Sequence, residues 1–270
     1  MAASDLDIIT CADSGFFEVV QVFEDNVLRI QGRYPVIYDL GMTEAQRAQL
    51  RSELVRIDTD ASYKALDPKG FIRTTHKPGA IRHAIARTGR ACLYLDADML
   101  LTEPLTPADF LGADLAVTPR HPNEIAREQL ADNGTINAGL LYFAATEPAQ
   151  KMLDTWARLC AGSEMSDQRA MSQLLEAWEM VPAPGLETVD GLSLARLDAR
   201  VYNDTARRTG KVLHYKNLGR KTRKRAEWRR MARLIALAPW AVQWLMRRRR
   251  AGWPVPEVPK APAPRPLSRP

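Results

Sequence analysis

The chain has 270 residues, 46% of them hydrophobic and 26% charged, with a formal net charge of +6. That composition suits a globular protein with one large α/β core or two small ones, and it contains no run of about 18 apolar residues that would read as an ordinary transmembrane helix. The charge is divided: residues 1–218 hold 23 Lys/Arg against 30 Asp/Glu (−7), and residues 219–270 hold 15 against 2 (+13), so the basic balance belongs to a tail and does not point to a nucleic-acid-binding body.

Residues 1–14 are acidic and polar around a short apolar run and lack the basic start of a secretory signal, so export by that route is not expected. Residues 7–13, DIITCAD, read as a first strand, and 16–31 carry a broad apolar stripe at helical spacing. Residues 34–41 predict a second strand ending at Asp39 and Gly41. A helix over 43–54 capped by Thr43 and a third short strand over 54–58 follow. This alternation of strand and helix predicts a largely parallel sheet. Residues 77–89 read as a helix with Pro near its start and Gly at its end. Then comes the strand ACLYLDADMLL at 91–101, with further strands over 113–120 and 136–145. Helices over 148–162 and 166–178 and a last strand over 211–217 complete the body. Cys11, Cys92 and Cys160 are far apart and odd in number, which fits neither a CxxC metal site nor a disulfide framework. Cys11 and Cys92 are expected to be buried thiols in a reducing compartment.

Asp96 and Asp98 end an apolar run, and the alternation of an extended chain would put both carboxylates on one side. In an open α/β sheet the carboxyl edge of the strands is where ligands bind. Two acids this close repel, so one is protonated or a cation sits between them. A hard divalent ion such as Mg²⁺ or Mn²⁺ suits oxygen ligands and could hold a diphosphate. The alternative is a turn or helix cap. His76, His83 and His121 read as structural histidines, and Trp156 and Trp178 as core. Asp167 can serve as a helix N-cap, Asn137 as a strand-entry residue, and Gly139 as a close-packing site.

At this point the sequence resembles a GT-A fold glycosyltransferase, most closely family 8 and related retaining enzymes that use nucleotide sugars. The likeness lies in segments spanning residues 6–221 in order: IITCADSGFFEVVQVFEDNV, YPVIYDLGMTEAQRAQL, KPGAIRHAI, LYLDADMLLTEPL, INAGLLYF, SDQRAMSQLL and VLHYKNLGRK. It implies a Rossmann-like, mostly parallel sheet flanked by helices. It implies Asp96, Asp98 and His214 as ligands of Mn²⁺ or Mg²⁺, with the metal bridging the donor diphosphate. Thr10, Ala12 and Asp39 would lie near the base, Lys77 or Arg82 near ribose or phosphate, and Asn137 and Gly139 along the donor sugar. Asp167 and Gln168 would face the reacting side of that sugar. The family's closing motif often runs His-x-x-Gly-x-x-Lys. Here His214 is followed by Gly219 and Lys221, so Lys216 is the alternative phosphate contact. The expected donor is a UDP-sugar, and the expected acceptor is a glycan or a lipid-linked glycan of the cell envelope.

This reading divides the chain into a transferase domain at 1–218, a basic amphipathic helical segment at 219–250 and a Pro-rich tail at 251–270. In the middle segment Trp228, Met231, Leu234, Ile235, Ala238, Val242, Leu245 and Met246 recur at helical steps among arginines, with Trp240 and Trp244 nearer the boundary and Pro239 as a kink or break. That pattern predicts an interfacial helix on an anionic membrane, hence a cytoplasmic protein peripheral on the inner face. A helix pair packed on the sheet with a solvated basic face is one alternative, and nucleic-acid binding through the tail is another, though no nucleic-acid partner is expected. Two other functions compete. One is a non-catalytic nucleotide-sugar scaffold tethered by the tail. The other is an Asp-x-Asp phosphatase, disfavoured because Leu100 stands where that chemistry wants Thr or Val and because earlier strands precede the motif.

Overall fold

The computed structural model describes residues 6–57, 75–120, 124, 134–162, 166–176, 184–216, 218 and 222–252. The expectations for His121, Trp178 and the Pro-rich tail lie outside the described residues.

The sheet begins with β1 (Leu6–Ala12), whose even-numbered and odd-numbered side chains pack on opposite faces: Ile8 and Ala12 on one, Ile9 and Cys11 on the other. Helix α1 (Phe17–Gln31) buries Val20, Phe23 and Val27 on the first face and stops at Gly32, whose φ of 74° is the left-handed conformation a helix end uses. β2 (Val36–Asp39) pairs parallel with β1. The chain then departs from the expected helix. Only α2 (Glu44–Arg47) forms, behind a Thr43–Gln46 capping box, and the expected third strand follows as β3 (Glu53–Arg56), paired in parallel with β2. A helical pattern with little apolar surface to bury does not extend the helix further.

Helix α3 (Lys77–Thr88) leads into β4 (Ala91–Leu95), which lies parallel to β1. β5 (Met99–Leu101) leaves the main sheet and pairs antiparallel with β10 (Val212–His214). Between them come β6 (Leu115–Pro119), β7 (Ile136–Phe143), α4 (Glu147–Gly162), α5 (Asp167–Glu176), β8 (Gly185–Val189), β9 (Leu192–Arg196) and α6 (Ala199–Tyr202). The main sheet has the order β3-β2-β1-β4-β7-β6-β9-β8, with β7 and β8 running against the other strands. The β8–β9 hairpin is absent from the sequence reading, although its Asp190-Gly191 turn (φ 48° and 80°) is a hairpin signal.

Two hydrophobic clusters sandwich the sheet. One contains Ile81, Leu153 and Trp156 beneath α3 and α4, together with the buried Cys11, Cys92 and Cys160. The other contains α1 together with two C-terminal helices, α7 (Thr222–Leu237) and α8 (Pro239–Ala251). Pro239 splits this pair by starting α8, where its missing N–H costs nothing. Trp228, Ile235, Val242 and Met246 enter the core, each worth about 1.5–3 kcal/mol of burial. Leu234, Leu245, Trp240 and Trp244 of the same pattern stay exposed, as does Leu237. No described helix is long and apolar enough to cross a membrane.

Candidate active site

The apolar strand β4 delivers Asp96 to the carboxyl edge of the sheet. Alternation along an extended chain does not bring the two acids together, as the sequence suggested. A tight turn does, closed by the Met99 amide donating to the Asp96 carbonyl at 3.0 Å. The Asp96 amide in turn donates to the Gly139 carbonyl of β7 at 2.8 Å, and the Tyr215 amide donates to the Asp98 carbonyl at 3.1 Å. His214 sits opposite Met99 in the β5–β10 ladder, which brings its Nε2 to 3.2 Å from Asp98 Oδ1. Ligand atoms of Asp96, Asp98 and His214 all lie within 4.8 Å of one another. Two carboxylate oxygens and one imidazole nitrogen, facing one spot from a mostly buried wall, fit a hard divalent cation.

Lys77, at the first turn of α3, reaches into the same corner. Its Nζ lies 3.1 Å from Asp96 Oδ1 and 3.1 Å from Asp167 Oδ2, donates to the Ala138 carbonyl at 3.0 Å and stands 5.0 Å from the Tyr94 ring centroid. Burial alone would strip its proton; Asp167 and then Asp96 outweigh this and raise its pKa, so it stays an ammonium. Burial, with Asp96 behind it, holds the Tyr94 hydroxyl protonated, and that hydroxyl donates to Asp96 Oδ1 at 3.1 Å. Burial and the neighbouring Lys77 pull His76 down to about 3, so it is neutral. Burial pushes the Cys11 thiol up, which leaves it unreactive.

Asp167 starts α5; its carboxylate accepts from the Gln168 amide at 2.7 Å, and its carbonyl accepts from Trp156 Nε1 at 2.8 Å. Gln168 Oε1 accepts from the Ala138 amide at 3.3 Å. The Asn137 side chain folds back so that its Oδ1 accepts from the Gly139 amide at 2.9 Å. Its buried Nδ2 has no hydrogen-bond partner among the described residues. Gly139 is required by space: a Cβ there would stand 2.6 Å from Met99 Cε and 2.8 Å from His214 Cε1. Lys216 pairs with Glu124 at 2.9 Å, and the Glu124 carboxyl is held below its ordinary value because Lys216 outweighs burial.

The corner therefore gathers Asp96, Asp98, His214, Lys77, Asp167, Gln168, Asn137 and Gly139. Thr10 and Ala12 are buried in β1, and the Thr10 hydroxyl has no partner among the described residues. Asp39 lies beside Ala12 at the end of β2, with its carboxylate engaged by the Gly41 and Met42 amides and by Arg47. Arg82 is not brought to this corner: on the exposed side of α3 it meets Asp154 of α4 at 3.4 Å. Helical spacing explains this, since five residues after Lys77 a side chain lies on another face. Tyr94, Thr118, Asn203 and Glu124 join the site without a local sequence signal. Tyr94 alone was within reach, two residues before Asp96.

A sheet of this order, with an acid pair where β4 leaves it, defines a glycosyltransferase of the GT-A type. A solved glycosyltransferase involved in glycosylation of the major capsid of PBCV-1 shares the fold at a TM-score of 0.51 and 12% identity, over 85% of this chain and 98% of that one. The family model for nucleotide-diphospho-sugar transferases matches residues 42–234, and the chain belongs to that family. It is also similar to the galactosyltransferase LgtC in complex with donor and acceptor sugar analogues (21% identity, TM-score 0.44, 62% of this chain and 70% of that one). A further similar structure is the glycosyltransferase GlyE of Streptococcus pneumoniae TIGR4 (16%, 0.40, 62% and 42%). No curated protein matches the chain.

Proposed function

We propose that this nucleotide-sugar glycosyltransferase needs Mn²⁺ or Mg²⁺ and retains the anomeric configuration. It uses a UDP-sugar as donor and a glycan or lipid-linked glycan as acceptor at the inner face of the cytoplasmic membrane. The observation that carries the metal dependence is the convergence of Asp96, Asp98 and His214 within 4.8 Å. When bound, the ion supplies Lewis-acid stabilisation of the departing nucleoside diphosphate. The chain's own groups do the rest. Asn137 Nδ2 donates to the donor sugar, and Gly139 keeps the wall beside it thin. Asp167 and Gln168 orient the sugar's reacting side, with the Lys77 ammonium placed between Asp167 and Asp96. Lys216 exchanges Glu124 for phosphate. Thr10, Ala12 and Asp39 border the base. Retention and the choice of UDP follow from the family likeness.

The membrane reading rests on the outward face of α7 and α8, where Leu237 (84% exposed), Trp240 (73%) and Trp244 (58%) stand among Arg229, Arg230, Arg233 and Arg247–Arg249. Aromatic and basic side chains together suit an anionic interface, at about 1 kcal/mol per basic residue near the surface. The division at residue 218 keeps this meaning: the body carries the chemistry and the helix pair the address.

The test is thermal unfolding with UDP, GDP and their sugars, each in Mn²⁺, Mg²⁺ or EDTA. A stabilisation by UDP species that requires the metal is expected, about 2.7 kcal/mol at a hundredfold excess over Kd. Asp98→Asn should abolish it and lower turnover by roughly two orders of magnitude, the several kcal/mol of a lost Lewis acid. Equal stabilisation in EDTA would overturn the metal dependence. Proton NMR of the product reads the anomer.

A further inference from the structure

His214 can serve as a ligand through Nε2 only if that nitrogen carries a lone pair, so its proton must sit on Nδ1. The proton is directed there by a buried chain of hydrogen bonds that begins on β7. Thr118 Oγ1 lies 3.2 Å from the Asn137 carbonyl. A carbonyl only accepts, so the single hydroxyl proton of Thr118 is spent on it. Asn203 Nδ2, 3.0 Å away, must then be the donor to Thr118 Oγ1. This fixes the amide orientation and turns Asn203 Oδ1 toward His214 Nδ1 at 2.6 Å. An amide oxygen accepts, so Nδ1 bears the hydrogen and Nε2 presents its lone pair to the acid pair. Asp98 Oδ1 lies 3.2 Å from Nε2, a separation at which the two atoms can share one cation.

The backbone holds the chain at each link. The β6–β7 register shifts between Val117 and Thr118, and this bulge sets Thr118 opposite Asn137. Asn203 precedes Asp204, whose carboxylate accepts from the amides of Arg207, Arg208, Thr209 and Gly210 at 2.6–3.0 Å. The Asp204 carbonyl accepts from the His214 amide at 3.1 Å. Both ends of the Asn203–His214 bond are thereby fixed, and the side chains of Thr118, Asn203 and His214 are all buried.

We propose that Asn203, oriented by Thr118, is a positioning residue that sets the tautomer and direction of His214 as a metal ligand. The proposal rests on the metal reading above, and the experiment separates the two. It uses the full chain without nucleotide or sugar. Two-bond ¹⁵N–¹H correlation of metal-free, histidine-labelled protein reads the His214 tautomer, and calorimetric titration reads Mn²⁺ affinity. The expected results are an Nδ1–H tautomer in the unaltered chain and a tenfold to hundredfold weaker Mn²⁺ affinity in Asn203→Leu. Affinity should be retained in Asn203→Asp, which keeps an acceptor, and lowered in Thr118→Val but not Thr118→Ser. An Nε2–H tautomer overturns the proposal whatever the variants do. So does undiminished Mn²⁺ affinity in Asn203→Leu, with the metal reading intact if Asp98→Asn still loses it. Absence of Mn²⁺ binding to the unaltered chain overturns both. If Asn203→Leu does not fold, the tautomer and the Thr118 pair decide.

Discussion

Lys77 shows why residue type and position must be read together. A cation at a helix N-terminus opposes the helix dipole, and a lysine 7% exposed forfeits hydration. It is tolerated because its ammonium lies 3.1 Å from each of two carboxylates and donates to the Ala138 carbonyl. Asp96 and Asp98 were legible in the sequence, because a polar pair ending a buried apolar run needs a reason. Asn203 and Thr118 were not: their partners lie 11 and 85 residues away, and nothing local marks either one. Gly139 was legible only as a close approach, and what it approaches is the His214 ring. Gly139→Ala should push that ring aside. We expect a loss of about 1–3 kcal/mol in urea unfolding, as for other overpacked sites, and about tenfold weaker Mn²⁺ binding by calorimetry. Unchanged binding would show that the ring has room to spare.

At the scale of elements, the site is a meeting of strand ends. β4 carries the acid pair and β7 the Asn137–Gly139 wall. The small β5–β10 ladder brings in His214, and α8 grips that ladder. Buried Glu103, just after β5, pairs with Arg247 at 2.8 Å and with Arg250, and Arg250 also donates to the Thr209 carbonyl before β10. β2 ends similarly in a staple. Asp39 accepts from the Gly41 and Met42 amides at 2.9 and 2.6 Å and from Arg47 at 3.0 Å. Burial opposes its ionisation, but these donors outweigh burial and hold its pKa below the ordinary carboxylate value. A depressed folded-state value means that the contribution is present above about pH 4 and is lost as the pH falls through the folded value. Asp39→Asn should therefore cost about 1–2 kcal/mol at neutral pH, with the gap closing in acid. Urea titrations at several pH values check this, and a gap that persists undiminished in strong acid would contradict it.

For the whole molecule, the charge division and the amphipathic pattern at 219–250 were plain in the sequence. Which side of that pattern faces inward was not. α7 and α8 use Trp228, Ile235, Val242 and Met246 to close the core, so less apolar surface is left outside than a free helix would offer. The remaining face still carries Trp240 and Trp244 beside arginines. We expect the protein to sediment with vesicles of anionic lipid but not with neutral ones, and less at high salt. Trp240→Ser with Trp244→Ser should weaken this about tenfold or more while leaving the melting temperature unchanged, since both side chains are exposed. Equal sedimentation with neutral vesicles, or none with either, would remove the membrane from the proposed function.

By itself the sequence determined the α/β class, the strand-and-helix order of the first half, the place of the acid pair and the family. Those features are written in local periodicity, in short-range turn chemistry and in the order of motifs. Only the tertiary structure decided the antiparallel course of β7, the shortening of α2, the outward turn of Arg82 and the chain from Thr118 through Asn203 to His214. Each of these depends on which backbone edge or buried polar atom lies unsatisfied nearby. That is fixed by segments remote in sequence, and a hydrogen bond leaves no pattern along the chain when its two ends are far apart.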